Sequence, residues 1–155
     1  MIAYDGGFYD TTNQTLTTPG SFQQVRIGNT ALSHGVTLSS NAWTYAHVGD
    51  YNLSYTVQLQ NTSTGSSGTA TVWLRLNGND IPGTATTVTV PTKHSGTNGQ
   101  ILIQNFYVAP VNPGDVYTLW WYTPDDTIIS IAMDPAGTSP VYPLSNSVVV
   151  ATSQI

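Results

Sequence analysis

The fold of this chain is decided by the stretch Gly49-Asp50-Tyr51-Asn52-Leu53-Ser54-Tyr55-Thr56-Val57-Gln58-Leu59-Gln60. After the turn pair Gly49-Asp50, every odd position carries an apolar or aromatic side chain and every even position a polar one. A helix would scatter the five apolar groups around its circumference, whereas a strand places them all on one face. The alternation therefore predicts a β-strand with one buried face.

Composition points to the same class of structure. The chain has 155 residues, enough for a single domain over 1–155, in which residues 1–10 can also be interpreted as an extended N-terminal arm. Only 7% of the residues are charged, against roughly 25% in typical globular chains. All acidic residues are Asp, which favours turns, and none is Glu, which favours helices. We expect a β-rich protein kept soluble by Thr, Ser, Asn and Gln.

Charge and cysteine content exclude several functions. The net charge is −5, and the three basic residues Arg26, Arg75 and Lys93 lie far apart in sequence, so nucleic-acid binding is not expected. No apolar run approaches the roughly 18 residues of a membrane span, and no signal peptide opens the sequence. The absence of cysteine excludes disulfides and thiolate chemistry and is compatible with assembly in a reducing cytoplasm.

Further short strands are predicted between Gly- and Pro-rich turns along the rest of the chain. The sequence indicates eight to ten strands and no convincing helix, which predicts an all-β antiparallel sandwich. The main predicted strands are 22–27, 36–38, 42–46, 69–76, 84–90, 100–108, 115–122, 127–133 and 147–153.

No grouping of residues predicts an enzyme, a metal site or a cofactor site. Asp125-Asp126 is the only adjacent acidic pair; after Pro124 it is interpreted as part of a turn, with weak calcium binding as the alternative. His34, His47 and His94 lack metal-ligand spacing. We therefore predict no catalytic, cofactor-binding or metal-binding residues.

Two sets of residues are candidates for contact with other molecules. Aromatic side chains can stack on sugar rings, although core or interface packing is the favoured interpretation of Tyr9, Trp43, Tyr45 and Trp73. The polar loops 61–68 and 93–99 are candidates for partner contact, or are simply solvated connections. Their candidate residues are Asn61, Thr64, Lys93, His94 and Asn98.

The segment Val116–Tyr122 is apolar on both faces. One face holds Tyr117, Leu119 and Trp121, and the other holds Val116, Trp120 and Tyr122 with only Thr118 polar between them. An antiparallel strand with one solvated face does not have this pattern. Either loops of the same chain cover the second face, or another subunit does.

Three pieces of the sequence resemble the trimeric jelly roll of the tumour necrosis factor and complement globular-head families. They are 49–57, the strand 73–78 that ends at Asn77-Gly78, and the segment 112–120 around Gly114-Asp115. The opening 7–12 and the pattern 72–78 also resemble tail-fibre and virion-surface domains of bacteriophages. Leu53 departs from the aromatic residue usual at that position.

This resemblance implies a TNF-like jelly-roll homotrimer. It implies that one sheet, containing the strand from Gly49, the 115–122 strand and the terminal strand, faces the three-fold axis. It also implies a core position for Tyr117, Leu119 and Trp121. The resulting candidates for the trimer interface are Phe8, Thr118, Trp120, Tyr122 and Val149.

The expected function is that of a bacteriophage virion structural protein. Because the predicted domain begins close to Met1, without a shaft, a capsid decoration (cement) protein bound to the major capsid protein on the capsid exterior is favoured. The alternative is a tail-fibre head at the fibre tip, which contacts tail proteins and a host receptor of glycan or protein.

Overall fold

The computed structural model describes residues 3–155, and this part of the chain consists of strands, turns and loops. In chain order the strands are β1 (Asp5–Asp10), β2 (Gln23–Gln24), β3 (Asn29–His34), β4 (Val36–Ser39), β5 (Ala42–Tyr45), β6 (Gly49–Asn61), β7 (Gly68–Leu76), β8 (Asn79–Asp80), β9 (Thr86–Val90), β10 (Gly99–Val111), β11 (Val116–Tyr122), β12 (Ile129–Ile131), β13 (Gly137–Thr138), β14 (Val141–Tyr142) and β15 (Val148–Gln154). The predicted all-β antiparallel class is confirmed.

The first sheet is built around β6, the strand that the alternation predicts. Its strand order is β10-β6-β15-β1-β3, and β12 continues the β15 side of β6. β10 pairs with β6 along its whole length, from Gly99 opposite Asn61 to Val111 opposite Gly49. In the described part of the chain, β10 and β3 are the two edges of this sheet.

The second sheet has β11 at its centre. The strand order is β4-β5-β11-β7-β8, with β2 also paired to β11 and β9 to β7. The chain passes from the first sheet to the second at Gly35, between β3 and β4, with φ of 72°. A Cβ there would approach the Tyr4 ring to 2.6 Å, so this crossing requires glycine.

The expected grouping of strands in one sheet is wrong in one respect. The strand from Gly49 (β6) and the terminal strand (β15) do lie side by side, but the 115–122 strand (β11) belongs to the opposite sheet. The alternation of a strand predicts which side chains share a face, but it carries no information about which sheet the strand joins.

The core lies between the two sheets, and the predicted phase of both central strands is confirmed. Tyr51, Leu53, Tyr55, Val57 and Leu59 of β6 are buried. From the other side, β11 buries the predicted side chains Tyr117, Leu119 and Trp121. Side-chain hydrogen bonds also join the sheets, including one of 2.8 Å between the hydroxyls of Tyr45 (β5) and Thr152 (β15).

The N-terminal stretch forms part of the first sheet. Residues 1 and 2 of the possible arm 1–10 lie outside the described residues; residues 5–10 form β1, which pairs with β15 on one side and β3 on the other. Strand β3 was not expected from the sequence, because all six of its residues are exposed and it carries no buried periodicity.

Candidate functional site

The outward surface of the first sheet, here called the open face, is the strongest candidate for an interaction site. It is formed by every second side chain of β1, β6, β10 and β15, together with Leu32 of β3. The opposite side chains of β6 point into the core. The open face therefore has a fixed backbone beneath it and solvent above it.

Large apolar side chains are exposed on the open face. Phe106 of β10 has 59% of its surface accessible, and Leu102 and Val108 on the same strand are about half exposed. Leu32 and Val149 add to this surface from β3 and β15. Burying one such side chain completely from full exposure is worth about 1.5–3 kcal/mol, and these are about half exposed, so leaving all of them in water forfeits several kcal/mol in total.

A groove of roughly 340 Å³ crosses the middle of the open face. Phe106 lies opposite Ser54 on β6, Ser54 lies opposite Ala151 on β15, and Gly7 of β1 lies opposite Leu32. Small side chains thus form the floor, while Phe106 and Leu32 stand at the two sides. Such a shape admits a projecting side chain from another molecule.

The open face carries little charge. Along β1, β6, β10 and β15, the only outward side chains with a formal charge are those of Asp5 and Asp50. The remaining polar groups are amides and hydroxyls of residues such as Asn52, Thr56 and Gln58. Depletion of charge around exposed aromatic and aliphatic groups is typical of the centre of a protein–protein interface.

The expected trimer-interface residues do not form one surface. Thr118, Trp120 and Tyr122 point outward from the second sheet, on the side of the molecule opposite the open face. Phe8 points into the core and is buried, so its assignment to an interface is wrong. Among the five candidates, only Val149 lies on the open face.

Side chains of the same subunit already cover part of Trp120. The Phe22 ring packs edge-on against the indole at 5.7 Å, and the Arg75 guanidinium lies 4.3 Å above it. The indole Nε1 donates to the Thr118 hydroxyl at 2.8 Å. Tyr122 is also half-buried, against the core. The second apolar face of β11 is therefore partly covered from within its own chain.

We call Phe22, Trp73, Arg75, Asp80 and Trp120 the tryptophan cluster. Phe22 packs edge-on against Trp73 as well as against Trp120, at 5.9 Å. Asp80 Oδ1 accepts hydrogen bonds from Trp73 Nε1 at 2.8 Å and from Arg75 Nε at 2.6 Å. These bonds, chiefly the one from Arg75, lower the pKa of the Asp80 carboxyl below its usual value.

The other aromatic residues considered for sugar stacking differ in accessibility. Trp43 and Tyr45 are buried in the core and cannot meet a ligand. Burial raises the pKa of Tyr45 to about 12. Tyr9 is half-buried and lies on the open face, and Trp73 is half-buried in the tryptophan cluster.

The two polar loops meet at one end of the sandwich, where the Lys93 amide donates to the Ser63 carbonyl. Asn61 is buried, and its side chain donates to the carbonyls of Ser66 and Val90, so its assignment as a partner contact is wrong. The other candidates are accessible: Thr64 and His94 are exposed, and Lys93 and Asn98 are half-buried.

Asp125 holds a turn together, because its carboxylate accepts the Thr69 amide and its own amide donates to the Thr123 hydroxyl. His34 contacts Asp5 at 3.1 Å, and His47 stacks on Tyr4. Within residues 3–155 no three His, Asp or Glu side chains converge as a metal-ion site would require.

No helix in that range is long and apolar enough to span a membrane.

The exposed group on β10 is the feature that reasoning from sequence missed. Its signal is an alternation in which both sets are partly apolar, with Ile101, Ile103 and Tyr107 on one side and Leu102, Phe106 and Val108 on the other. Strand β11 is also apolar on both faces, and there the pattern led to the prediction that Trp120 lies at a subunit interface.

The two antiparallel sheets and their strand order define a TNF-like jelly roll. Among 242 similar chains of known structure is the TNF-family ligand murine APRIL, crystallised at pH 8.5. The likeness covers 99% of this chain and 100% of the APRIL chain, with a TM-score of 0.55 and 10% sequence identity, so it shows the fold alone. No protein-family model and no curated protein sequence matches the chain.

Proposed function

We propose that this chain is a bacteriophage virion structural protein that acts as a homotrimer, and that it serves as a capsid decoration protein bound to the major capsid protein. The proposal assigns it no catalysis and no cofactor. The observation that carries the homotrimer is the open face, where exposed apolar side chains surround a groove lined by a single charged residue, Asp5.

A second copy of the chain is the partner that best fits the open face. An isolated subunit would leave Leu102, Phe106 and Val108 in water. A neighbouring subunit that places a side chain in the central groove would remove them from water. The charged residue that lines the groove, Asp5, already contacts His34 Nδ1 at 3.1 Å. The jelly-roll fold and the sequence resemblance to trimeric jelly rolls favour three subunits.

Three-fold symmetry supports the location on a capsid. A closed trimer presents the same loops three times around one axis. Icosahedral shells repeat three-fold and quasi-three-fold positions over their whole surface, so a trimer can bind three capsid subunits at once. Each single contact can then be weak, because three linked contacts act together.

The alternative function is a tail-fibre head that recognises a host glycan or protein. The tryptophan cluster favours it, because Trp73, Phe22 and Asp80 lie on the sheet opposite the open face and stay accessible in a trimer formed through that face. Aromatic groups next to a charged pair are common in recognition surfaces.

Oligomeric state tests the homotrimer with a matched pair of variants. Phe106→Asp places a charge on the open face, and Phe22→Asp makes the same change at a similarly exposed phenylalanine on the second sheet. Light scattering after gel filtration should give three chains for the wild type and for Phe22→Asp, but one for Phe106→Asp. A one-chain wild type, or loss of the trimer only in Phe22→Asp, would contradict the proposed interface.

Location on the particle tests the virion role. An antibody against this chain, viewed by electron microscopy on purified virions, should label the whole capsid surface. Stripped capsids should gain heat resistance when the wild-type trimer is added back and should not gain it from Phe106→Asp. Labelling confined to the tail tip would replace the decoration role with the alternative, and unlabelled virions would exclude both.

A further inference from the structure

A second site lies on the outer side of the second sheet, where the β7–β8 hairpin meets the turn that follows it. A depression of roughly 380 Å³ opens there beside Trp73. Its lining consists of Trp73, Asp80, Ile81, Pro82, Gly83 and Ala85. None of these residues belongs to the open face, so the site is separate from the proposed subunit interface.

Asp80 presents a fixed acceptor at the edge of this depression. Its Oδ1 is held by Trp73 Nε1 and Arg75 Nε, although 62% of the side chain is accessible to solvent. Among the hydrogen bonds between residues 3–155, its Oδ2 accepts none. An exposed carboxylate is normally free to rotate, whereas this one keeps a free oxygen in a set position.

The far wall of the depression is also held in place. Buried Thr84 accepts the Leu74 amide through its hydroxyl at 3.1 Å and donates to the Ile81 carbonyl at 2.8 Å. The turn passes through Gly83 at a φ of 83°. Pro82 and Ala85 therefore stand at a set distance from the Trp73 ring, and a ligand would not have to order this turn on binding.

The charges at the site cancel and favour a neutral ligand. Arg75 and Asp80 form an ion pair of 2.6 Å, and Phe22 and Trp120 flank the guanidinium at 4.8 and 4.3 Å. The guanidinium lies outside the depression, and its side chain is only 17% exposed, so it offsets the charge of Asp80 without facing a ligand there. An anion would meet the free oxygen of Asp80, whereas a neutral ligand with hydroxyl donors and one apolar face can bond that oxygen and pack on Trp73.

We propose that this depression binds a neutral hexose unit of a saccharide. The apolar C–H face of the sugar ring packs on the Trp73 indole, and a pair of its hydroxyls donates to the free oxygen of Asp80. Apolar contact with Pro82 and Ala85 covers the opposite rim. This site adds a binding activity to the chain in either virion location.

Nuclear magnetic resonance of the tryptophan indole N–H groups tests the site directly. The probes are methyl α-glucopyranoside, methyl α-mannopyranoside and methyl β-galactopyranoside, with inorganic phosphate as the charged comparison. At least one glycoside should shift the Trp73 signal saturably, while the signals of buried Trp43 and Trp121 stay in place and phosphate has no effect. If no glycoside shifts the Trp73 signal, the proposal is wrong.

The role of the Asp80 carboxylate is tested by Asp80→Asn, with Asp126→Asn as the matched control. Asp80→Asn should weaken glycoside binding by about tenfold or more, because a hydroxyl bonds less strongly to an amide than to a carboxylate. Asp126→Asn, at the other end of β7 and roughly 20 Å away, should leave the affinity unchanged. Equal affinity in the two variants would overturn the assignment of Asp80.

The subunit-interface variant separates this site from the proposed trimer. Because all of the residues that line the depression come from one chain, Phe106→Asp should bind the glycoside with wild-type affinity even as a monomer. Loss of binding in that variant, with the buried tryptophan signals unchanged, would show that the site needs a second subunit and would contradict the single-chain site.

Discussion

The hydroxyl of Tyr55 lies 2.7 Å from the carbonyl oxygen of Thr84, and this hydrogen bond joins the two sheets through the core. Tyr55 belongs to β6 in the first sheet, and Thr84 lies in the turn before β9 in the second. The Val72 carbonyl of β7 lies 3.1 Å from the same hydroxyl. The polar end of a buried side chain therefore helps to fix how the sheets are placed.

Tyr55→Phe should lower the free energy of unfolding by about 0.5–1.5 kcal/mol, because it removes the hydroxyl that donates across the core, while the Thr84 carbonyl keeps the hydrogen bond from Asn105 Nδ2 at 3.1 Å. The matched control is Tyr117→Phe, since the Tyr117 hydroxyl is buried and finds no partner among residues 3–155. Removing that hydroxyl should change stability by less than about 0.5 kcal/mol or raise it. Urea unfolding at one protein concentration measures both, and equal losses would contradict the role given to Tyr55.

Gly99 is required by the close approach of another backbone segment at the start of β10. A Cβ at this position would lie 1.7 Å from the Pro91 carbonyl oxygen, so Gly99→Ala forces the two segments apart. We expect a loss of about 3 kcal/mol or more in unfolding free energy. Gly65→Ala, in a loop with open space around it, should cost less than about 0.5 kcal/mol; a similar cost at both positions would refute the close approach.

Alkaline pH should destabilise the fold through its buried tyrosines. Burial raises the pKa of Tyr45 from 10.0 to about 12, and burial also raises the pKa of Tyr117. Because the neutral hydroxyl is favoured in the fold, this contribution is complete below pH 10 and is lost as the pH rises from about 10 to about 12. Unfolding free energy measured across this range should fall less steeply in Tyr45→Phe, and an unchanged slope would contradict the assignment.

Acid pH should weaken the tryptophan cluster, because it protonates the Asp80 carboxylate and so breaks its ion pair with Arg75. The Arg75 and Trp73 hydrogen bonds lower the pKa of Asp80 below 3.8, so the ion pair persists above the ordinary pKa and is lost as the pH falls through the lowered one. The Trp73 indole N–H signal should follow this titration with a midpoint below 3.8, and Asp80→Asn should abolish it. A midpoint at or above 3.8 in the wild type would argue against the bonded carboxylate.

Side-chain alternation made the fold class and the orientation of the central strands predictable. Tyr55 and Trp121 point into the core as their positions in β6 and β11 require. The placement of β11 in the second sheet was not predictable, because pairing depends on contacts between segments distant in sequence. Phe22 and Arg75, which cover Trp120, are likewise 98 and 45 residues away from it along the chain.

The candidate interaction site was predictable only in part. Val149 was expected at an interface from the resemblance to trimeric jelly rolls, and it does lie on the open face. Phe106 is less conspicuous in the sequence, since Gln104 interrupts the apolar residues Leu102, Phe106 and Val108 on the same face of β10. Its importance depends on Ser54, Ala151 and Gly7, whose small side chains leave the groove beside it, and their proximity is a property of the fold.

Strand β10 is an edge strand of 13 residues that also carries a row of exposed apolar side chains. No strand of the described chain pairs with its outer side. An unpaired edge strand is a template to which further copies of the chain can add without limit, and such growth yields fibres. A closed ring of subunits would bury the same apolar side chains but would stop at a fixed number of copies. The feature that makes assembly favourable therefore also makes the geometry of that assembly decisive for solubility.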